Sequence, residues 1–228
     1  MDAGAAVGAC AADSSTALHY AASEGHTAVV QLLLDAHAAV DAATNQECST
    51  ALHEAACAGQ EAAAVLLSNA GANVNAAIQN GWTALHLAAM HGRTAVVQLL
   101  LGAQVAVDAA DDAGWAALHW AAYGGYTAAV QLLLDAHAAV DAVAKDSTTS
   151  LHWSGMGGHT AVVRCCSRQQ QSLMQLMLMA GQPCTGQPTQ AAHQLCSFCW
   201  MPRLEWMLPL QMGLHPCKWL PKSVTQQL

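Results

Sequence analysis

Apolar side chains spaced i, i+3 and i+4 form a wide stripe through Thr27-Ala28-Val29-Val30-Gln31-Leu32-Leu33-Leu34, and nearly the same string returns at 94–101 and 127–134. That spacing predicts amphipathic helices that each bury one face. Ahead of each stripe runs a shorter segment: Leu-His, usually a small pair such as Ala21-Ala22 or Ala88-Ala89, then a glycine at 25, 59, 92, 125 or 158. The alanines favour helix and let a neighbour approach closely, while the glycine supplies the permissive backbone of a sharp turn. The local prediction is a short, tightly packed helix, a turn, and a second helix antiparallel to the first.

The pair recurs at a fixed period. Thr16-Ala17-Leu18-His19 returns as Thr50 to His53, Thr83 to His86, Ala116 to His119 and Thr149 to His152, with histidine spacings of 34, 33, 33 and 33. The longer interval comes from one residue inserted in the loop between Asp41 and Thr50. Units start near 14, 48, 81, 114 and 147. A 33-residue unit of loop plus helix pair, opened by T-x-L-H, resembles an ankyrin repeat. The resemblance covers residues 4 to about 166 and implies an all-α solenoid of stacked helix-turn-helix units joined by β-turn loops. It also implies that each motif histidine shares turn hydrogen bonds with its threonine.

Two positions depart from the family pattern. The proline of T-P-L-H is Ala17, Ala51, Ala84, Ala117 and Ser150 here, which removes a residue pre-set for a helix's first turn. The glycine after the outer helix survives at Gly71 but is His37, Gln104, His137 and Gln170 elsewhere. A left-handed backbone is expected there, at a cost of roughly 1 kcal/mol per non-glycine residue.

Both ends of the array are unusual. Gly4-Ala5-Ala6-Val7-Gly8-Ala9 matches the close of a repeat, as in Gly71 to Ala76, but its own helix pair is missing. The first helix pair, about 17 to 36, therefore lacks an N-terminal polar cap and is expected to be a soft end, with a truncated gene model as one source. In the fifth unit Thr160-Ala161-Val162-Val163 departs into Arg164-Cys165-Cys166-Ser167-Arg168 where earlier units carry leucines. Leu173 to Gly181 then resembles the missing ending, displaced by 11 residues, which is about three helical turns. One long helix over about 160 to 179 is expected to close an array spanning 1–181. Residues 182–228 mix Gln, Pro, Met and Trp without a period and hold all six prolines, so poor order is expected of this degenerate tail.

Composition and charge narrow the function. With 54% apolar and 10% charged residues in 228, the chain can bury a core. Up to residue 166 it holds 14 acids against 3 bases (Arg93, Lys145, Arg164), a net −11; the remainder is net +3. Three scattered bases cannot neutralise a run of phosphates, so nucleic-acid partners are not expected. No signal-peptide order and no apolar run near 18 residues are present, so no membrane partner is expected and the chain reads as soluble and cytoplasmic, with the nucleus left open. Nine irregularly spaced cysteines read as reduced thiols.

Candidate chemistry is sparse. His19, His53, His86, His119 and His152 occupy one structural position, so they read as turn residues; adjacent copies stand about 10 Å apart, too far to share a metal. His26 and His159, after the turn glycine, read the same way. Asp41, Asn75, Asp108 and Asp141 share a loop position and are expected to make local side-chain to backbone bonds. Cys196-Ser-Phe-Cys199 with His215 and Cys217 offers four soft ligands, but a second Cys-x-x-Cys is missing, so no metal and no cofactor are assigned. No phosphate loop, G-x-S-x-G elbow or carboxylate pair with a pocket appears. Neither catalytic activity nor a small-molecule substrate is expected.

Positions that vary from unit to unit are those stacking does not need, and they form three columns. The first runs Ser15, Ser49, Trp82, Trp115, Thr148; the second Tyr20, Glu54, Leu87, Trp120, Trp153; the third Ser23, Cys57, Met90, Tyr123, Met156. A buried slot would not accept the Ser, Glu and Thr of these columns unpaired, so exposure is expected. Exposed Trp, Tyr and Met in one patch are common interface anchors. The expected function is a non-catalytic interaction module or scaffold that binds a protein through the concave face of repeats three to five. Trp82, Leu87, Met90, Trp115, Trp120, Tyr123, Trp153 and Met156 are its contact residues, and Glu54, Asp111, Asp112 and Asp146 form a rim favouring a neutral or basic partner. The alternative is a substrate-recruiting adaptor of a ubiquitin ligase or similar assembly with a zinc-binding tail, separated from the first reading by stoichiometric zinc that Cys196→Ser and Cys217→Ser remove.

Overall fold

The computed structural model describes residues 7–45 and 47–179, with side chains to residue 172. Among the described residues ten α-helices alternate short and longer, with one 3-10 turn at Gln79–Gly81. The inner row is α1 (Ala17–Glu24), α3 (Ala51–Ala58), α5 (Ala84–Met90), α7 (Ala117–Tyr123) and α9 (Ser150–Met156). The outer row is α2 (Thr27–Asp35), α4 (Glu61–Asn69), α6 (Thr94–Gly102), α8 (Thr127–Asp135) and α10 (Thr160–Met179). Each inner helix packs on its outer partner and on the inner helices of neighbouring units. The Ala-Ala pairs of α1, α3, α5 and α7 are buried between them, which is why small side chains stand there.

Every inner helix starts the same way. Thr16, Thr50, Thr83 and Thr149 have extended backbone, and the histidine three residues on folds back over the helix start. In the third unit the Thr83 N–H donates to His86 Nδ1 at 3.0 Å and the Thr83 hydroxyl reaches the same nitrogen at 2.9 Å. A backbone N–H can only donate, so Nδ1 is the acceptor and the proton sits on Nε2. That Nε2–H donates to a backbone carbonyl, in the next unit for His19 (Ser49, 3.1 Å) and His86 (Trp115, 3.1 Å), and in the loop closing its own unit for His53 (Ala76, 3.0 Å) and His119 (Ala142, 3.1 Å). The motif histidine thus caps its own helix, and in the first and third units it also ties that unit to the next.

The fourth unit has Ala116 in place of threonine. Its N–H still donates to His119 Nδ1 at 3.1 Å, but no hydroxyl is there to add the second bond. Ala116→Thr is expected to stabilise the protein by about 1 kcal/mol, from one neutral hydrogen bond at a helix start. A shift of the urea midpoint at constant slope checks it.

A second seam runs along the turns between helices. The side chain after each turn glycine lies back over the glycine of the preceding unit: Gln60 over Gly25, Arg93 over Gly59, Tyr126 over Gly92 and His159 over Gly125. A Cβ on any of these glycines would stand 2.3 to 2.7 Å from that side chain, and their φ angles are 73°, 83°, 63° and 73°. Glycine is required on both counts. Three of the overlying side chains also donate to a carbonyl there: Gln60 to Ser23 at 3.1 Å, Arg93 to Cys57 at 3.1 Å and His159 to Tyr123 at 3.1 Å.

The loops between units form hairpin tips joined to one another. Asn45 N–H donates to the Asp13 carbonyl, Gln79 to Glu47, Asp112 to Asn80 and Lys145 to Ala113, all at 2.9 to 3.0 Å. The loop carboxylates and amide reach farther than the local turns expected of them. Asp41 accepts from the Asn73 N–H at 3.0 Å, Asn75 from Ala106 at 2.8 Å and Asp108 from Ala139 at 2.9 Å, each in the next unit.

His37, Gln104 and His137 take the left-handed backbone, with φ of 60°, 58° and 63°. Gln170 does not, because α10 runs on through it to Met179. The apparent failure of the leucine pattern in α10 also resolves: Val162 and Cys166 are fully buried, and Cys166 stands where Leu67, Leu100 and Leu133 stand in earlier units. Burial pushes the Cys166 thiol up to about 11, so it packs as a small neutral hydrophobe. No described helix is long and apolar enough to cross a membrane.

Candidate functional site

The three variable columns meet on the inner helices and loop tips. Trp82 and Trp115 follow the tips, Trp120 and Trp153 sit in the first turns of α7 and α9, and Tyr123 ends α7. Their rings touch in sequence across three units. Centroids are 4.8 Å apart for Trp82 and Trp120, 4.5 Å for Trp120 and Trp115, and 4.6 Å for Trp115 and Trp153. Tyr123 closes against Trp153 at 5.6 Å and Trp115 at 6.1 Å, both edge-on. Tilted and edge-on contacts at these distances are the arrangements aromatic quadrupoles favour.

The expectation of plain exposure is corrected here. Trp82, Trp115, Trp120 and Trp153 are each half-buried, because each ring covers part of the next. Tyr123 and Met156 are exposed, Met90 is half-buried, and Leu87 is buried. The earlier columns also hold a polar residue in a buried slot: Ser49 is buried, but its hydroxyl donates to Glu54 at 2.7 Å, so the slot accepts it paired.

Polar groups fix the ladder. Asp111 is buried rather than part of a rim. One of its oxygens accepts the Ala113 and Trp115 N–H groups at 2.9 and 2.8 Å, and the other accepts the indole N–H of Trp120 at 3.3 Å. A single carboxylate therefore shapes the tip that carries Trp115 and steers Trp120. In the next unit the Trp153 indole N–H donates to the Thr148 hydroxyl at 2.8 Å. Of the remaining rim acids, Asp112 and Asp146 are exposed and Glu54 is half-buried. The spacing of Asp111 four residues before Trp115 was a readable tip signal, whereas its reach to Trp120 depends on how α7 follows that tip.

The motif histidines lie behind this face. Burial holds the His53, His86 and His119 imidazoles below their ordinary value of 6.5, and the carbonyl bonds at Nε2 offset part of that. They are neutral framework groups at neutral pH. Cys57, in the third column, has its thiol raised by burial first and by Glu54 second, so it is a poor nucleophile. Cys10, Cys48, Cys57, Cys165 and Cys166 are free thiols. No group of three His, Cys, Asp or Glu suited to a metal occurs among the described residues. The candidate ligands Cys196, Cys199, His215 and Cys217, and the rest of 182–228, lie outside the described residues.

Comparison with known proteins agrees with this construction. The family model for ankyrin repeats (3 copies) matches residues 3–78 and 71–146. No curated protein matches the chain. The 33-residue period, the alternating helix rows, the histidine seam and a match over more than half of its length lead to one statement: the chain belongs to the ankyrin-repeat family.

Proposed function

We propose that the protein is a non-catalytic module that binds another protein through the aromatic ladder of Trp82, Trp115, Trp120, Trp153 and Tyr123. Ankyrin repeats generally mediate protein-protein interaction, and the ladder is the observation that supports this face as the one used. It crosses three units on positions that stacking between units does not require. Its rings are already held by one another and by Asp111 and Thr148. Little side-chain freedom is lost when a partner arrives, which favours affinity. Tyr123 and Met156 offer the exposed anchors, and Asp112 and Asp146 beside them favour a neutral or basic partner segment.

The test compares quantitative affinity capture by the wild type and by Trp115→Ala/Trp120→Ala/Trp153→Ala, after circular dichroism establishes equal helicity. Because the tryptophans also pack on one another, a second variant, Tyr123→Ala/Met156→Ala, changes only exposed side chains. Both are expected to lose the same partner, the second by roughly tenfold or more, as anchors worth above 1 kcal/mol do. A partner retained by both variants removes this face as the recognition surface.

A further inference from the structure

The two indoles at the starts of α7 and α9 both end their N–H bonds on tip carboxylates. Trp120 Nε1–H donates to Asp111 directly, at 3.3 Å. Trp153 donates to the Thr148 hydroxyl at 2.8 Å, and that hydroxyl donates in turn to Asp146 Oδ1. The routes differ, but each sets an anionic acceptor at the edge of an indole ring. Such an acceptor polarises the N–H and pushes electron density into the ring, which deepens the negative character of its face. Faces of this kind attract cations.

The rings are close enough to act together. The centroids of Trp120, Trp153 and Tyr123 lie 4.5, 4.6 and 6.1 Å from that of Trp115. A cation is attracted within about 6 Å of a ring centroid, so one seated on Trp115 is also in range of its neighbours. Tyr123 stands nearly at right angles to Trp120 and Trp153, at 85° and 80°, so the ladder is stepped rather than flat.

The charge around the ladder has one sign. The tips and inner helices of units three to five carry Asp111, Asp112 and Asp146 against a single base, Lys145. Arg93, in the turn of the third unit, is committed to the Cys57 carbonyl of the second. Asp112 and Asp146 are exposed, while Asp111 is buried and little screened by salt. A neutral apolar partner would leave these carboxylates uncompensated, whereas a cationic one meets both the charge and the ring faces.

Resting on the ladder as the recognition face, we infer that its occupant is a basic protein segment whose arginines stack on the rings of Trp115, Trp120 and Trp153 and pair with Asp112 and Asp146. Arginine fits better than lysine because its planar guanidinium lies flat on an indole while its fork still reaches a carboxylate. Neighbouring units stand about 10 Å apart and an extended chain rises about 3.3 Å per residue, so arginines matched to the fourth and fifth units are about three residues apart.

Isothermal titration of the full 228-residue chain with end-capped peptides tests this. One peptide carries two arginines at that spacing in a glycine-serine background. Its companions replace both arginines by lysine or by glutamine, or set the two arginines side by side. The spaced-arginine peptide is expected to bind and to change the tryptophan emission, each companion binding at least roughly threefold more weakly. Asp112→Asn/Asp146→Asn keeps the oxygen that accepts from Thr148 and is expected to weaken arginine binding by roughly fivefold or more. Tyr123→Ala/Met156→Ala is expected to weaken it as well. Four results overturn the inference: any companion peptide that binds as tightly as the spaced arginines, unchanged affinity in Asp112→Asn/Asp146→Asn, arginine binding that survives Tyr123→Ala/Met156→Ala, or no arginine-peptide binding up to about 2 mM. None of these decides the ladder itself, which fails separately when Tyr123→Ala/Met156→Ala retains its captured partner.

Discussion

His86→Ala is expected to cost about 3–5 kcal/mol, a large share of the total stability of a domain of this size. The imidazole holds three buried groups at once. Its Nδ1 accepts the Thr83 N–H and hydroxyl, and its Nε2–H fills a lone pair of the Trp115 carbonyl one unit away. Alanine leaves both threonine donors unpaired in a site closed to water, at about 1–3 kcal/mol each, and opens a void where the ring was. The companion variant His152→Ala removes the same motif residue from an exposed site with no following unit among the described residues, and about 1 kcal/mol or less is expected. Urea unfolding of the two variants side by side is the measurement. Equal losses at the two positions would mean that the junction to the next unit contributes nothing.

Acid is expected to act on the same seam. His53, His86 and His119 are held below 6.5 by burial. Between the folded values and 6.5 the unfolded chain binds more protons than the folded one, so stability rises with pH across that window. The contribution is fully present above about 6.5 and is lost as the pH falls through the lower folded values, at about 1.4 kcal/mol for each unit of depression in each histidine. The structural reason is direct: a second ring proton lands on Nδ1, where the N–H groups of Thr50, Thr83 and Ala116 already point. Urea midpoints measured from about pH 7.5 to about pH 5 stay above the carboxylate range and isolate this effect. A midpoint constant over that range would show that the imidazoles titrate alike folded and unfolded.

The repeat made the array legible, because a period of 33 with a fixed internal order leaves one way to pair the helices. Thr16, Thr50, Thr83 and Thr149 with their histidines could be placed at helix starts from the repeat together with its resemblance to the ankyrin motif. The long α10 was legible too, since the displaced leucine pattern needed three extra turns. The junctions were less so. That Asp41, Asn75 and Asp108 bond into the next unit depends on the rise from one unit to the next, which no local pattern encodes. Cys166 in a leucine slot was hidden by its residue type.

The aromatic columns were readable as columns, but not as a ladder. Whether Trp82 meets Trp120 or Trp115 depends on the diagonal offset between a tip and the following inner helix. The two tryptophans of the fourth unit and the one on either side of them also shield each other, so a side chain free of the core is still half-covered. Asp111 was misplaced on the rim for a related reason: charge alone suggests solvent, whereas the turn it shapes encloses it.

The imidazole seam has one more consequence. Because Nε2 of His19 and His86 each carries a proton locked onto the next unit's carbonyl, the first and third junctions each hold a ring hydrogen that exchanges when that junction parts. Those two junctions therefore carry natural clocks, and their rates record which of them comes apart first.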